Sequence, residues 1–140
     1  MANEPQSTGA EGLLTHLHQE IDIKASPQRI YGAIMDSKQF ASFTGLPAEI
    51  SSEAGGVFSI FGGLIVGRNL ELVPQQRIVQ AWRPSSWETG VYSLVKFVLK
   101  DQGPKTMVLL DHTGFPEGTF RHLNSGWYEH YWEPLRKFLS

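Results

Sequence analysis

Between Phe120 and Phe138, six large apolar side chains recur in steps of three or four: Phe120, Leu123, Trp127, Tyr131, Leu135 and Phe138. That period places them on one face of a helix, which Tyr128, Trp132 and Leu139 widen; Glu129, Glu133, Arg136 and Lys137 fall largely outside it. Such a stripe, about five turns long, must be covered by an apolar surface of matching length. Pro134 lies inside the run and cannot donate to the carbonyl of His130, so a kink or break is expected there.

The rest of the chain offers a sheet as that surface. From Leu14 to Lys24 the pattern alternates, with Leu17, Gln19, Ile21 and Ile23 on one parity and His16, His18, Glu20, Asp22 and Lys24 on the other. This is a half-buried strand. Ser26-Pro27 reads as a helix N-cap followed by proline at the first helical position, with Ile30, Tyr31 and Ile34 as the apolar stripe. Asp36 with Gln39 three residues on starts a second short helix carrying Phe40 and Phe43, stopped by Gly45 and Pro47. Glu49–Ser52, Val57–Phe61, Leu64–Val73, Arg77–Trp82, Val91–Lys100 and Thr106–Thr113 are then candidate strands, separated by glycine, proline and serine turns. Connections this short imply antiparallel neighbours. Ser93, Val95, Phe97 and Leu99 share one face of their strand and must look into the core. Four Trp, four Tyr, eight Phe and fourteen Gly suit a curved sheet, because glycine permits the bends and rings fill the concave side. The expected fold is α+β: a curved antiparallel sheet of six to seven strands gripping a long C-terminal helix, with two short helices after the first strand. A cavity between sheet and helix follows wherever the curvature parts them.

The 140 residues make one domain, with 1–13 read as a disordered tail and 14–140 as the folded unit. Apolar residues at 41% and charged ones at 19% are the composition of a globular chain. A formal charge of −2 gives no electrostatic reason to propose nucleic acid or an anionic membrane as a partner. The chain has no cysteine, so disulfides, a thiolate nucleophile and Cys-type zinc sites are excluded. Met1–Gly12 lacks the basic and apolar segments of a targeting peptide, and no apolar run approaches the ~18 residues that span a bilayer. A soluble, cytoplasmic protein is expected.

An ordered series of landmarks carries a family resemblance. Gly62-Gly63-x3-Gly67, Glu71-Leu72-Val73-Pro74, Arg77-Ile78-Val79 and Trp82 are followed by Trp87, Tyr92-Ser93-x-Val95, Thr106, Thr113-Gly114-Phe115-Pro116 and Gly126-Trp127. This series resembles the activator of heat-shock protein 90 (Hsp90) ATPase homologue family over residues 14–140. Ile23-x-Ala25-Ser26-Pro27, with the Trp127–Leu139 helix, is similar to the wider START-like, birch-allergen-like superfamily. The resemblance implies a helix-grip fold and a partner chaperone of the Hsp90 type, since eukaryotic co-activators carry such a domain at their C-terminus. Those proteins add an N-terminal domain that docks on the chaperone, for which the thirteen residues before the first expected strand leave no room. Other superfamily members bind apolar small molecules. The family supplies no catalytic motif and implies no cofactor.

The residues themselves point the same way. His16 and His18 share a strand face but lack a third metal ligand, and His130 with Glu133 is a single i, i+3 pair beside Pro134; neither is read as a metal site. His112 shares parity with Val108 and Leu110 and is expected inside, as a structural hydrogen-bonding group or a ligand contact, with no catalytic partner in view. Ser85, Ser86, Ser93 and Ser125 lack the setting of a nucleophile elbow. Phe40, Phe43, Phe58, Phe61, Trp82, Phe97, Trp127 and Tyr131, with His112, either line a ligand cavity or fill a solid core. Three functions stay open. The first is a non-enzymatic co-chaperone-like binding domain using the segments around Gly62-Gly63 and Arg83–Gly90. The second is a binder of an apolar or aromatic small molecule. The third is a cyclase-like or lyase-like enzyme using Arg68, Glu71 or His112.

Overall fold

The computed structural model describes residues 11–140. Of the tail expected over 1–13, residues 1–10 lie outside the described residues, while Glu11–Leu13 form a 3-10 turn. The Gly118 N–H donates to the Gly12 carbonyl at 2.9 Å.

Seven strands form one antiparallel sheet: β1 (His16–Ile23), β2 (Glu49–Ile50), β3 (Val57–Ile60), β4 (Ile65–Val73), β5 (Arg77–Pro84), β6 (Ser93–Asp101) and β7 (Thr106–Thr113). Their order is β1-β7-β6-β5-β4-β3-β2, a meander from β2 to β7 closed by the first strand lying beside the last. Alternation decides which face is buried. In β1, Leu17, Gln19, Ile21 and Ile23 turn inward and their neighbours outward; in β6, Ser93, Val95, Phe97 and Leu99 do the same.

Two short helices, α1 (Pro27–Met35) and α2 (Ser37–Thr44), bridge β1 and β2. The Ser26 hydroxyl accepts from the Arg29 N–H at 3.2 Å, and the Asp36 carboxylate accepts from the Gln39 N–H at 2.9 Å, so each helix starts where a side chain satisfies an orphan donor. Gly45, at φ 77°, ends α2 in the left-handed conformation.

The sheet is not uniform. Register runs unbroken through β1/β7, β7/β6 and β6/β5, but β4 carries a bulge between Asn69 and Glu71 that leaves Leu70 unpaired. Opposite Phe58 and Trp82 sits Gly67, where a Cβ would lie 1.9 Å from the Ala81 carbonyl oxygen and 2.5 Å from the Phe58 ring. Only glycine allows the strands this close. The β3–β4 turn then places Phe61, Gly62 and Gly63 in succession at φ 55°, 67° and 94°. For Phe61 that conformation is strained, at a cost of about 1–3 kcal/mol.

The C-terminal helix crosses the concave face as three joined pieces: α3 (Phe120–Gly126), a π-helical segment (Trp127–Trp132) and α4 (Glu133–Leu139). The disturbance expected from Pro134 is resolved by widening rather than breaking: just before the proline, the Glu133 N–H reaches back five residues to the Tyr128 carbonyl. Trp127 and Trp132, five apart, therefore stack at 5.7 Å, and both are buried together with Tyr131. Beyond them Leu135 and Leu139 are buried as well. Arg136 donates from Nε (3.1 Å) and Nη2 (2.9 Å) to the Asp22 carbonyl, fastening the helix end to β1.

Candidate functional site

Where β4 and β5 meet the middle of the C-terminal helix, the packing opens into a cavity of about 430 Å³. Phe61, Trp82, Trp127 and Tyr131 form its wall, joined by Ile65, Trp87 and Leu123. Exposed Leu46 and Leu64 stand at the rim with the polar side chains of Ser85, Ser86, His122 and His130. The Trp82 and Trp127 indoles lie nearly parallel, 4.8 Å apart and 15° from coplanar, and so present a flat panel.

Five of the nine residues expected on a ligand cavity are elsewhere. Phe97 is wholly enclosed, stacked on Tyr131 at 5.8 Å and edge-on to Trp127 and Trp132. Phe40 meets Phe43 at 4.7 Å and Tyr131 at 5.5 Å, which fills the space behind the wall from α2. Phe58 covers Gly67. These four, with His112, back the lining rather than form it, because they sit deeper in the concave face than the place where sheet and helix part. Leu46, Leu64, Ile65, Trp87 and Leu123 complete the apolar lining; of these, Leu123 stands on the helical stripe that the sequence shows, while the others carry no local signal.

His112 organises the wall from behind. The Trp127 indole N–H can only donate, so His112 Nδ1, 3.1 Å away, must accept. The neutral ring then carries its hydrogen on Nε2 and donates to the Ser93 hydroxyl at 2.8 Å, which in turn donates to the Trp82 carbonyl at 3.1 Å. Burial lowers the His112 pKa from 6.5 to about 3, so the ring stays neutral in this chain of bonds. With its lone pair already taken, it positions an indole rather than accepting a proton from a substrate. Burial likewise raises the Tyr131 phenol above its ordinary pKa, keeping it protonated.

The other polar candidates lie outside the cavity. Arg68 is exposed and donates to the Gly55 carbonyl at 2.7 Å; Glu71 is exposed and forms a two-bonded pair with Arg77 at 2.8 and 3.2 Å. Neither Arg68 nor Glu71 lines the cavity, and His112 lies behind its wall. His18 is held by Asp111 and Glu20, at 2.8 Å each, on the outer face of the sheet. Among the described residues no group of three or more His, Asp or Glu is arranged to hold a metal, and no helix is long and apolar enough to cross a membrane.

A curved seven-stranded sheet closed on a C-terminal helix, with an aromatic cavity at their parting, is the helix-grip architecture. Residues 24–140 match the family described as activator of Hsp90 ATPase homolog 1-like protein, and the chain belongs to that family. It is 35% identical over 107 residues to the activator of 90 kDa heat shock protein ATPase homolog of Dictyostelium discoideum, covering 76% of this chain and 28% of that one. To the human activator of 90 kDa heat shock protein ATPase homolog 1 it is 27% identical over 112 residues, covering 80% and 33%. The chain thus spans about a third or less of those relatives. A crystal structure of an HSP90 activator from Plasmodium falciparum superposes with a TM-score of 0.84 at 23% identity, over 89% of this chain and 96% of that one.

Proposed function

We propose that this chain is a non-enzymatic, cytoplasmic binding domain that engages a chaperone of the Hsp90 type in a co-chaperone-like role. The observation that carries the reading is the family match over residues 24–140, with relatives named as activators of that chaperone's ATPase. The surface supports it. Leu46 (42% exposed) and Leu64 (63% exposed) form an apolar lip, next to the strained Phe61–Gly63 turn and the loop holding Trp87. Arg83 fixes that loop by donating from Nη2 to the Trp87 carbonyl at 2.7 Å. Exposed apolar side chains on a rigid rim are what a protein partner buries on docking.

The test is to add the purified chain to an Hsp90-type chaperone and measure ATP hydrolysis and co-precipitation. The expected result is a concentration-dependent change in hydrolysis, weakened by Leu46→Asp and Leu64→Asp. Unchanged hydrolysis together with no co-precipitation overturns the proposal.

A further inference from the structure

The two edges of the sheet are finished differently. At one edge β2 is two residues long, and the Ser37 hydroxyl closes its free side, accepting from the Ile50 N–H at 2.8 Å and donating to the Ile50 carbonyl at 3.4 Å. At the other edge β1 runs eight residues in unbroken register, with no proline or glycine. The Thr15 carbonyl, one step beyond the His16–Thr113 pair, accepts from the Gly114 N–H at 2.8 Å, so the odd-numbered residues of β1 turn their backbone groups to β7. The even-numbered ones turn theirs to the open side. Arg136 takes the Asp22 carbonyl there, but the N–H and C=O groups of His16, His18 and Glu20 meet no partner among the described residues. A long edge strand without a bulge, proline or covering side chain is a template for another strand.

We propose that the open side of β1 pairs with β1 of a second copy of this chain, antiparallel about a two-fold axis at Gln19, so that two sheets join into one. The charge order along the strand selects that partner. His16, His18, Glu20 and Asp22 share the outer face, two imidazoles followed by two carboxylates. Both ring nitrogens of His18 lie 2.8 Å from carboxylate oxygens, which only accept, so the ring bonded to Glu20 and Asp111 is the imidazolium. About an axis at Gln19, His18 lies opposite Glu20 of the second copy and His16 opposite its Asp22, and the reverse, so each imidazole meets a carboxylate. A slip of two residues in either direction sets Glu20 against Glu20 or His18 against His18. At the centre of the ladder, His18 and Glu20 of opposite copies exchange N–H···O=C bonds, which are the bonds these residues lack in one chain. This inference does not rest on the chaperone reading, and either can fail without the other.

Sedimentation equilibrium and amide hydrogen exchange on the full chain test it. One pair of strands makes a small, transient interface, so sedimentation should run from about 10 μM to about 1 mM protein, where a monomer–dimer equilibrium is expected. In exchange measurements followed by NMR, the amides of Leu17, Gln19 and Ile21 should be protected at every concentration, because β7 holds them. Those of His18 and Glu20 should exchange fast in dilute protein and slow down as the dimer fills. Glu20→Pro removes an N–H that the fold does not use and should weaken dimerisation by about 10-fold or more, with the circular dichroism of the folded chain retained. Asp22→Lys and His16→Glu each set like charges across the axis and should weaken self-association by about 3- to 10-fold, while an equimolar mixture of the two should associate more tightly than either alone. A chain that stays monomeric over the whole range overturns the proposal. So does a dimer in which the His18 and Glu20 amides exchange as fast as in the monomer, a Glu20→Pro chain that dimerises like the wild type, or a mixture no tighter than its components. The exchange arm uses only the wild-type chain, so it decides the matter even if a variant does not fold.

Discussion

The two halves of the sheet are built to different standards. Across β1, β7 and β6 the strands run eight or nine residues in unbroken register, and the inward polar groups are partnered: Gln19 accepts from Trp132, Thr106 donates to the Ala25 carbonyl, and Ser93 and His112 link Trp82 to Trp127. Across β2, β3 and β4 the strands shrink to two and four residues before the bulge at Asn69–Glu71, and Phe61 sits in a left-handed conformation. There a buried Asn69 holds the chain before β3, donating to the Ser51 carbonyl at 2.7 Å and accepting from Gln80 at 3.1 Å. The cavity and its apolar lip lie where this irregular half meets the helix. The regular half fixes the indoles in place, and the irregular half supplies Phe61, Leu64 and Ile65 to the opening beside them.

Substitutions can break or sharpen that contrast. The largest effect is expected for Gly67→Val, which drives a side chain into the Ala81 carbonyl and the Phe58 ring. Chemical denaturation should show a loss of about 3 kcal/mol or more, or no folded protein at all. His112→Phe comes next. It strands the Trp127 N–H and takes away the bond that the Ser93 hydroxyl accepts, and should cost about 2–3 kcal/mol. It should also change the response to acid. Because the folded His112 pKa is depressed to about 3, the unfolded chain binds a proton between about pH 6.5 and 3 that the folded chain does not. Stability therefore falls as pH drops through that window, and the variant should lose this part of the slope in urea melts compared at pH 7 and 4.5.

On the outer face the sign reverses. The His18 pKa is raised by hydrogen bonds to Glu20 and Asp111, so its contribution is complete below the unfolded value near 6.5 and is lost as pH rises through the higher folded value. Exposure and screening keep it below about 1 kcal/mol; His18→Gln should remove the difference between melts at pH 6 and pH 8.5. Leu64→Asp is expected to move stability least, within about 0.5 kcal/mol, while weakening chaperone co-precipitation. A large loss of stability there would mean that the lip is a structural prop, and the contrast between the halves would need redrawing.

Most of the regular half is legible in the sequence, because parity is a local property. The inward set in β6 and the inward turn of His112 both follow from alternation. The partners of His112 do not. Trp127 lies fifteen residues on and Ser93 nineteen back, and they meet it only through the β6/β7 register and the phase of the helix. In the irregular half parity itself is interrupted. Asn69 and Gln80 are buried as a pair beside a bulge that no alternation pattern announces. The division of the rings into lining and backing depends on how β4, β5 and the phase of the helix meet, a three-dimensional matter. Phe97 and Phe61 read alike as aromatic residues in strands, yet one is sealed and the other stands at an opening.

The widened turn before Pro134 has a consequence for chain length. In a helix each residue advances the side-chain direction by about 100°. The segment from Trp127 to Trp132 holds the rotational offset that lets Trp127, Tyr131 and Trp132 share one side while Leu135 and Leu139 still come round to it. Deleting one residue there would swing Leu135 and Leu139 into water and aim Arg136 away from the Asp22 carbonyl. Between Gly126 and Pro134 this domain can exchange side chains far more readily than it can change their number.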